Sequence, residues 1–237
     1  MKKLYEKSEI WFAVIWIIVY VVLCSVADSF SESLGVMKSV TAPLCVLLSV
    51  ILFLWIRKNG LSEKYGLIPF KGNLKKYLYF APLLLIMSMN LWNGVTLNVF
   101  VAESVLYVLS MLCVGFIEEV IFRGFLFNAM CKSNVKQAII VSSVTFGLGH
   151  IVNLLNGREL VSTLLQLCYA IAIGFLFTII FYKGKSLLPC IITHSVFNSL
   201  SAFGVEGSQT YHMVRAALLC VISVGYALWI LREEITF

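Results

Sequence analysis

Three ionisable side chains stand inside an otherwise apolar stretch, GFIEEVIFRGF, at residues 115–125. An ionised group at the centre of a membrane costs on the order of 3 kcal/mol, so each of the three needs a partner. Glu119 and Arg123 are four residues apart, which predicts an ion pair along one face of a helix. Glu118 lies about 100° around the same helix. It must therefore find its partner on another element.

Two further segments place polar side chains within apolar runs. SSVTFGLGHIVN puts Phe146 and His150 one helical turn apart, and Gly147 and Gly149 predict close approach of a neighbouring helix. LLPCIITHSVFNSL puts His194 and Asn198 four residues apart on one face. The simplest arrangement turns Glu118, both histidines and the asparagine toward one water-filled cavity between three helices.

These residue types favour hydrolysis. A carboxylate in a pocket of low polarity is suited to act as a general base, and together with a histidine it can activate water. The resulting attack on an amide carbonyl creates an oxyanion, which His194 and the Asn198 amide could stabilise as hydrogen-bond donors. Such a site would cleave a peptide bond without a side-chain nucleophile.

Other interpretations of the same residues stay open at this point. Two histidines and a carboxylate are acceptable ligands of zinc or of a non-haem iron, although no HExxH motif is present. Chains of Glu and His also build proton relays in transporters. Alternatively, the cluster is purely structural, with Asn198 in an interhelical hydrogen bond and the Glu119–Arg123 pair joining two helices.

The composition requires a membrane. Of 237 residues, 60% are hydrophobic and 13% charged, which excludes a soluble domain with a polar exterior. The sequence predicts an all-α, polytopic helical bundle with about eight transmembrane helices, forming a single domain over residues 1–237 with its motif-bearing core at about 104–203. The predicted spans are 10–27, 40–56, 77–92, 104–130, 136–155, 160–182, 187–203 and 213–231.

The distribution of Lys and Arg predicts the orientation. Alternate connections carry 14 of these residues on one side and 3 on the other, so the amino and carboxyl termini are expected in the cytoplasm. The net charge of +6 then reflects contact with anionic lipid and needs no nucleic acid. CSVAD resembles a signal cleavage site ending at Ala27, but we expect the first span to be retained.

Three motifs in order resemble the CPBP family of membrane proteins, the CAAX proteases and bacteriocin-processing proteins also called Abi. Residues 118–123 match EExxxR, residues 146–150 match FxxxH, and residues 194–198 match HxxxN. The segment LSEKYGLIPF, at 61–70, is similar to a short interfacial segment common in that family. The resemblance covers most of the chain, although its specificity lies in the three motifs.

The resemblance implies an intramembrane endopeptidase of the glutamic type with no metal or other cofactor. By that analogy Glu118 with His150 activates the water, and His194 with Asn198 stabilises the oxyanion. The supporting residues would be Glu119, Arg123 and Phe146.

The expected partners are the lipid bilayer and a membrane-associated peptide or protein substrate cut near the cytoplasmic half of the bilayer. Relatives similar to the type II CAAX prenyl endopeptidases remove three residues after a prenylated cysteine. Bacterial relatives are linked to maturation of peptide signals or bacteriocins, to self-immunity and to sensor kinases. The short connections favour a multi-pass protein of a bacterial plasma membrane. A non-catalytic immunity or regulatory protein is the alternative.

Overall fold

The structure is a computed structural model that describes residues 1–69, 80–97 and 100–232. Nearly all of this part is helical, and its only extended pairing is an isolated bridge between Val95 and Gly204. The helices are α1 Lys2–Lys7, α2 Glu9–Ser33, α3 Thr41–Lys58, α4 Ala81–Ser88, α5 Val101–Glu119, α6 Asn128–Cys131, α7 Val135–Leu148, α8 Val152–Leu155, α9 Leu160–Gly184, α10 Leu188–Leu200 and α11 Gln209–Arg232. The predicted all-α helical bundle is confirmed.

Six helical segments of the described residues are long and apolar enough to cross a membrane. They are Glu9–Ser33, Thr41–Lys58, Val101–Cys131, Val135–Leu154, Leu160–Gly184 and Gln209–Arg232. Two shorter apolar segments, Ala81–Leu91 and Leu188–Phe203, stand where the other two spans were predicted. The beginning of the predicted span 77–92, the lysines at 71, 75 and 76 and the last residue of the segment 61–70 lie outside the described residues.

Local signals set several helix boundaries. The side chain of Ser8 accepts a hydrogen bond from the Trp11 amide and caps α2, and that of Asn134 does the same for α7 through Gln137. Pro189 lies in the first turn of α10, where a missing N–H costs nothing. These helices therefore begin where their sequences predict.

Two helices carry most of the packing that positions the polar residues. α5 packs against α3 and α10, and α9 packs against α7 and α11. At one end, the rings of Phe12, Trp55 and Phe125 form an aromatic cluster that holds α2 against the segment after α5, with centroids 4.8–6.0 Å apart. α2 is thereby fixed beside the helix that carries the two glutamates.

The glutamate-bearing helix changes its winding directly after Glu119. Val120–Phe127 is π-helical, and all eight of its residues are buried. The hydroxyl of Ser142, on α7, donates a hydrogen bond to the Phe122 carbonyl at 2.9 Å, so a neighbouring helix supplies a partner to this segment. Such π-helical turns are rare and frequently occur at functional sites.

Candidate functional site

The predicted ion pair between Glu119 and Arg123 is present and completely buried. Arg123 Nη1 lies 3.0 Å from Glu119 Oε1, and neither side chain has any exposed surface. The Arg123 guanidinium also stacks over the ring of Phe146, with 4.1 Å between Cζ and the centroid. Gly174 makes room for this stack, because a Cβ there would lie 3.1 Å from Arg123 Nη2.

His194 lies between the two glutamates. Its Nδ1 is 2.9 Å from Glu119 Oε1, and its Nε2 is 3.5 Å from Glu118 Oε2. Because a carboxylate accepts hydrogen bonds, Nδ1–H donates to Glu119, and this contact fixes both the tautomer and the direction of the ring. Nε2 consequently points at Glu118.

Glu118 also has a partner that the sequence did not indicate. The hydroxyl of Tyr20, on α2, donates to Glu118 Oε1 at 2.7 Å. The other oxygen, Oε2, accepts no hydrogen bond from the described residues, although it is buried. The only signal of this role was a single phenol in the apolar run IIVYVVL. The expectation that Glu118 is partnered from other helices is confirmed.

For the peptide hydrolysis predicted from the sequence, Tyr20→Phe should lower kcat about tenfold, because a hydrogen bond to a charged group contributes about 1.5 kcal/mol. We expect KM and the thermal midpoint to change little, since Tyr20 contacts the carboxylate and the phenyl ring fills the same space. Tyr226→Phe is the matched control, because the buried Tyr226 hydroxyl has no hydrogen-bond partner in the described part of the chain. A rise in KM at unchanged kcat would contradict a positioning role for Tyr20.

His150 is held by an amide from α9. It lies in the 3-10 turn Gly149–Ile151 that follows α7. Gln166 Nε2 is 3.3 Å from His150 Nδ1, and Gln166 Oε1 accepts from Asn153 Nδ2 at 2.8 Å. Since the amide nitrogen only donates, Nδ1 accepts and the neutral ring carries its proton on Nε2. Gln166 was not predicted; its signal was an isolated amide in the run LLQLCYA.

Phe146 separates the two imidazoles. Its ring centroid lies 5.7 Å from that of His150 and 5.5 Å from that of His194, both in edge-on geometry. Phe122 packs on it at 5.4 Å. The FxxxH spacing therefore places an aromatic wall between two histidines of different helices.

Four of the candidate residues meet at connected cavities. Glu118, His150 and Asn198 line an open cavity of about 530 Å³, with Tyr20 in its wall. An adjoining small pocket of about 30 Å³ is lined by His150, His194 and Asn198. Within the described ranges, no group of three His, Cys, Asp or Glu is arranged to hold a metal ion. His150 and Asn198 line both cavities, whereas Glu118 lines only the larger cavity and His194 only the smaller pocket, so the four side chains do not share the single cavity predicted from the sequence.

Of the two glycines before His150, only one makes the close helix contact that the sequence predicted for both. A Cβ at Gly147 would lie 2.3 Å from Ile171 Cγ1 and 3.0 Å from the Ile171 amide nitrogen, so close approach of α7 and α9 depends on this glycine. A Cβ at Gly149 would meet nothing within 4 Å. The prediction was therefore right for Gly147 and wrong for Gly149, because residues two apart in a helix lie about 200° apart and cannot both face α9.

Gly147→Ala should destabilise the protein by about 1–3 kcal/mol, the usual cost of overpacking a buried contact. Gly149→Ala, two residues away, should leave stability nearly unchanged. Thermal unfolding of both variants in detergent compares them directly. Equal losses in the two variants would contradict the packing difference.

Residues 100–200 match the family described as type II CAAX prenyl endopeptidase Rce1-like. This match confirms the family resemblance stated from the three motifs, and it includes all of them. The family implies a CAAX-type intramembrane endopeptidase, which is a peptide hydrolase. The six helices able to cross a membrane agree with a multi-pass membrane protein. No curated protein matches the chain.

Proposed function

We propose that this protein, whose residues 100–200 match the Rce1-like family, is an intramembrane endopeptidase of the glutamic type, which cleaves a membrane-associated peptide without a metal cofactor. One observation carries the proposal. Glu118 lines a cavity together with His150 and Asn198, and its buried Oε2 accepts no hydrogen bond from the described residues. Buried polar atoms are nearly always hydrogen-bonded, so an unused acceptor beside a cavity marks a site for a ligand or for water.

The nucleophile is water. Glu118 Oε2 accepts a proton from a water molecule, whose oxygen attacks the carbonyl carbon of the scissile bond. His150 holds that water through its Nε2–H, because Gln166 occupies Nδ1. The same proton then passes from Glu118 to the leaving amine as the C–N bond breaks. Water is consumed, and a carboxyl and an amino terminus are formed.

The tetrahedral intermediate needs donors for its oxyanion. The Asn198 amide lines the cavity next to His150, and His194 can donate from Nε2 when its ring carries both protons. Glu119 accepts from Nδ1 at 2.9 Å and so holds the ring with Nε2 toward Glu118. Arg123 balances the charge of Glu119 from the other side. The ion pair therefore acts through His194 rather than on the substrate.

We assign residues 1–237 to one domain. Two residues outside the motif-bearing core, at about 104–203, contribute to the site. Tyr20 donates a hydrogen bond to the proposed base, and Arg215 of α11 lines the same cavity, so the site needs helices from both sides of the core. The proposed location is a bacterial plasma membrane, and the proposed substrates are peptide-signal or bacteriocin precursors or lipidated peptides.

Comparison of membrane peptidomes tests the proposal. Cells that produce the protein should contain cleavage products that disappear with Glu118→Gln. Glu103→Gln is the matched control, because Glu103 lies on the same helix and accepts from the Met37 amide at 2.9 Å, outside the cavity. Identical peptidomes with the Glu118→Gln variant and the unchanged protein would favour a non-catalytic immunity or regulatory protein.

A further inference from the structure

The two ends of the bundle differ in charge. At one end, Glu9 bonds Lys64 and Lys132, each at 2.8 Å, which joins the start of α2 to the connections after α3 and α6. The Gly66 carbonyl accepts from the Leu187 amide, which adds the connection after α9. We call this the lysine-rich end. Among the described residues its basic side chains are Lys2, Lys3, Lys7, Arg57, Lys58, Lys64, Lys132, Lys136, Lys183, Lys185 and Arg232.

The opposite end carries the mouth of the cavity, and we call it the cavity end. Asp28 pairs with Lys38 at 2.7 Å, and Arg215 donates to Asn90 at 2.9 Å. These residues and the exposed Arg158 all line the cavity that reaches Glu118. They come from the end of α2 and the connection after it, the turn after α4, the connection after α8 and the start of α11.

The position of Tyr20 along α2 gives the distance of Glu118 from each end of the bundle. Tyr20, which contacts Glu118, is 11 residues after Glu9 and 8 residues before Asp28. At about 1.5 Å per residue, the lysine-rich end is ~17 Å away and the cavity mouth ~12 Å. None of the described residues that line the cavity belongs to the lysine-rich end. Access to Glu118 is therefore from the cavity end.

The charge difference predicts which end faces the cytoplasm. In the described part of the chain, eleven Lys or Arg accompany three Glu at the lysine-rich end, whereas three Lys or Arg accompany five Asp or Glu at the cavity end. Connections rich in Lys and Arg stay in the cytoplasm during insertion. The lysine-rich end is thus the cytoplasmic one, and the cavity opens on the other side.

We infer that the site receives its substrate from the non-cytoplasmic side: an exported or membrane-inserted peptide whose scissile bond lies in the outer half of the bilayer. This differs from the cytoplasmic half expected from the sequence, and it does not fit a prenylated carboxyl terminus presented in the cytoplasm. Hydrolysis of that peptide rests on the proposed function, whereas the direction of access rests only on the charges and the cavity.

The cavity also indicates the chemistry of the substrate. The pocket beside His150 and His194 has a volume of about 30 Å³ and is walled by Ile86, Ile173 and Phe177, which suit a small apolar side chain next to the scissile bond. Toward the mouth the walls become polar, with Arg158 and Arg215 among them. The peptide should therefore be apolar at the cleavage position and polar toward the outer surface.

Labelling with a membrane-impermeant maleimide in intact bacterial cells tests the direction of access. Arg158→Cys, at the cavity mouth, should be labelled fully before the cells are permeabilised. This labelling is measured above that of the unsubstituted protein, which contains native cysteines. Lys136→Cys, exposed at the lysine-rich end, should gain its labelling only after permeabilisation. Glu206→Cys, 92% exposed at the same mouth, replaces Arg158→Cys if that variant does not accumulate. The reverse pattern overturns the inference.

Peptides that disappear with Glu118→Gln should derive from segments on the outer side of the membrane. Disappearance of peptides from cytoplasmic segments would overturn this inference while leaving the proposed hydrolysis in place. An unchanged peptidome together with outward labelling would overturn the proposed function, and with it the assignment of a substrate to this cavity.

Discussion

Glu118→Gln should lower kcat for peptide cleavage about a thousandfold, within the range that a general base contributes. Glutamine has the shape of glutamate and still offers an oxygen to the Tyr20 hydroxyl, so the fold should persist. It cannot take a proton from water at neutral pH. The measurement is the single-turnover cleavage rate of purified protein with a peptide found in the peptidome comparison.

Two comparisons make this result specific. Glu103→Gln changes the same functional group on the same helix and should retain the original rate. The thermal midpoint of Glu118→Gln should stay near that of the unchanged protein, which separates lost chemistry from lost structure. Cleavage by Glu118→Gln at the original rate would show that this carboxylate is not the base.

Arg123→Met should destabilise the protein by about 3–5 kcal/mol, because it leaves a buried carboxylate without its counter-charge. Glu119 and Arg123 have no exposed surface, so water cannot replace the lost partner. The substitution also removes the guanidinium from the face of Phe146, which separates the two histidines. Thermal or denaturant unfolding in detergent measures the loss, and cleavage should fall with it because His194 depends on Glu119.

The double variant Glu119→Gln, Arg123→Met should regain much of this stability, because both buried charges are gone. Its cleavage rate should stay low, since His194 Nδ1 then lacks a carboxylate partner. Lys2→Ala is a matched control at the surface: Lys2 and Glu6 have the same spacing, lie 3.9 Å apart and are mostly exposed. A solvated pair contributes little, so a comparable loss there would contradict the role of burial.

The sequence by itself determined the positions of the helices and one contact, the ion pair between Glu119 and Arg123. Runs of apolar residues longer than about 17 residues predict membrane spans, because backbone polar groups in lipid must bond within their own helix. This physical rule placed the helices of the described residues close to their observed positions. The Glu119–Arg123 pair followed from a spacing of four, which belongs to a single helix and needs no knowledge of its neighbours.

Only the tertiary structure decided which helices meet and in what rotation. Tyr20 and Glu118 are 98 residues apart, and His194 and Glu119 are 75 apart, so no local spacing connects them. Gly147 and Gly149 lie on nearly opposite sides of their helix, and the rotation of that helix in the bundle decides that Gly147 is the one that packs against Ile171 of α9. Helical periodicity specifies which residues share a face of one helix. Close packing between helices decides which neighbour that face meets and at which end of the bundle the cavity opens.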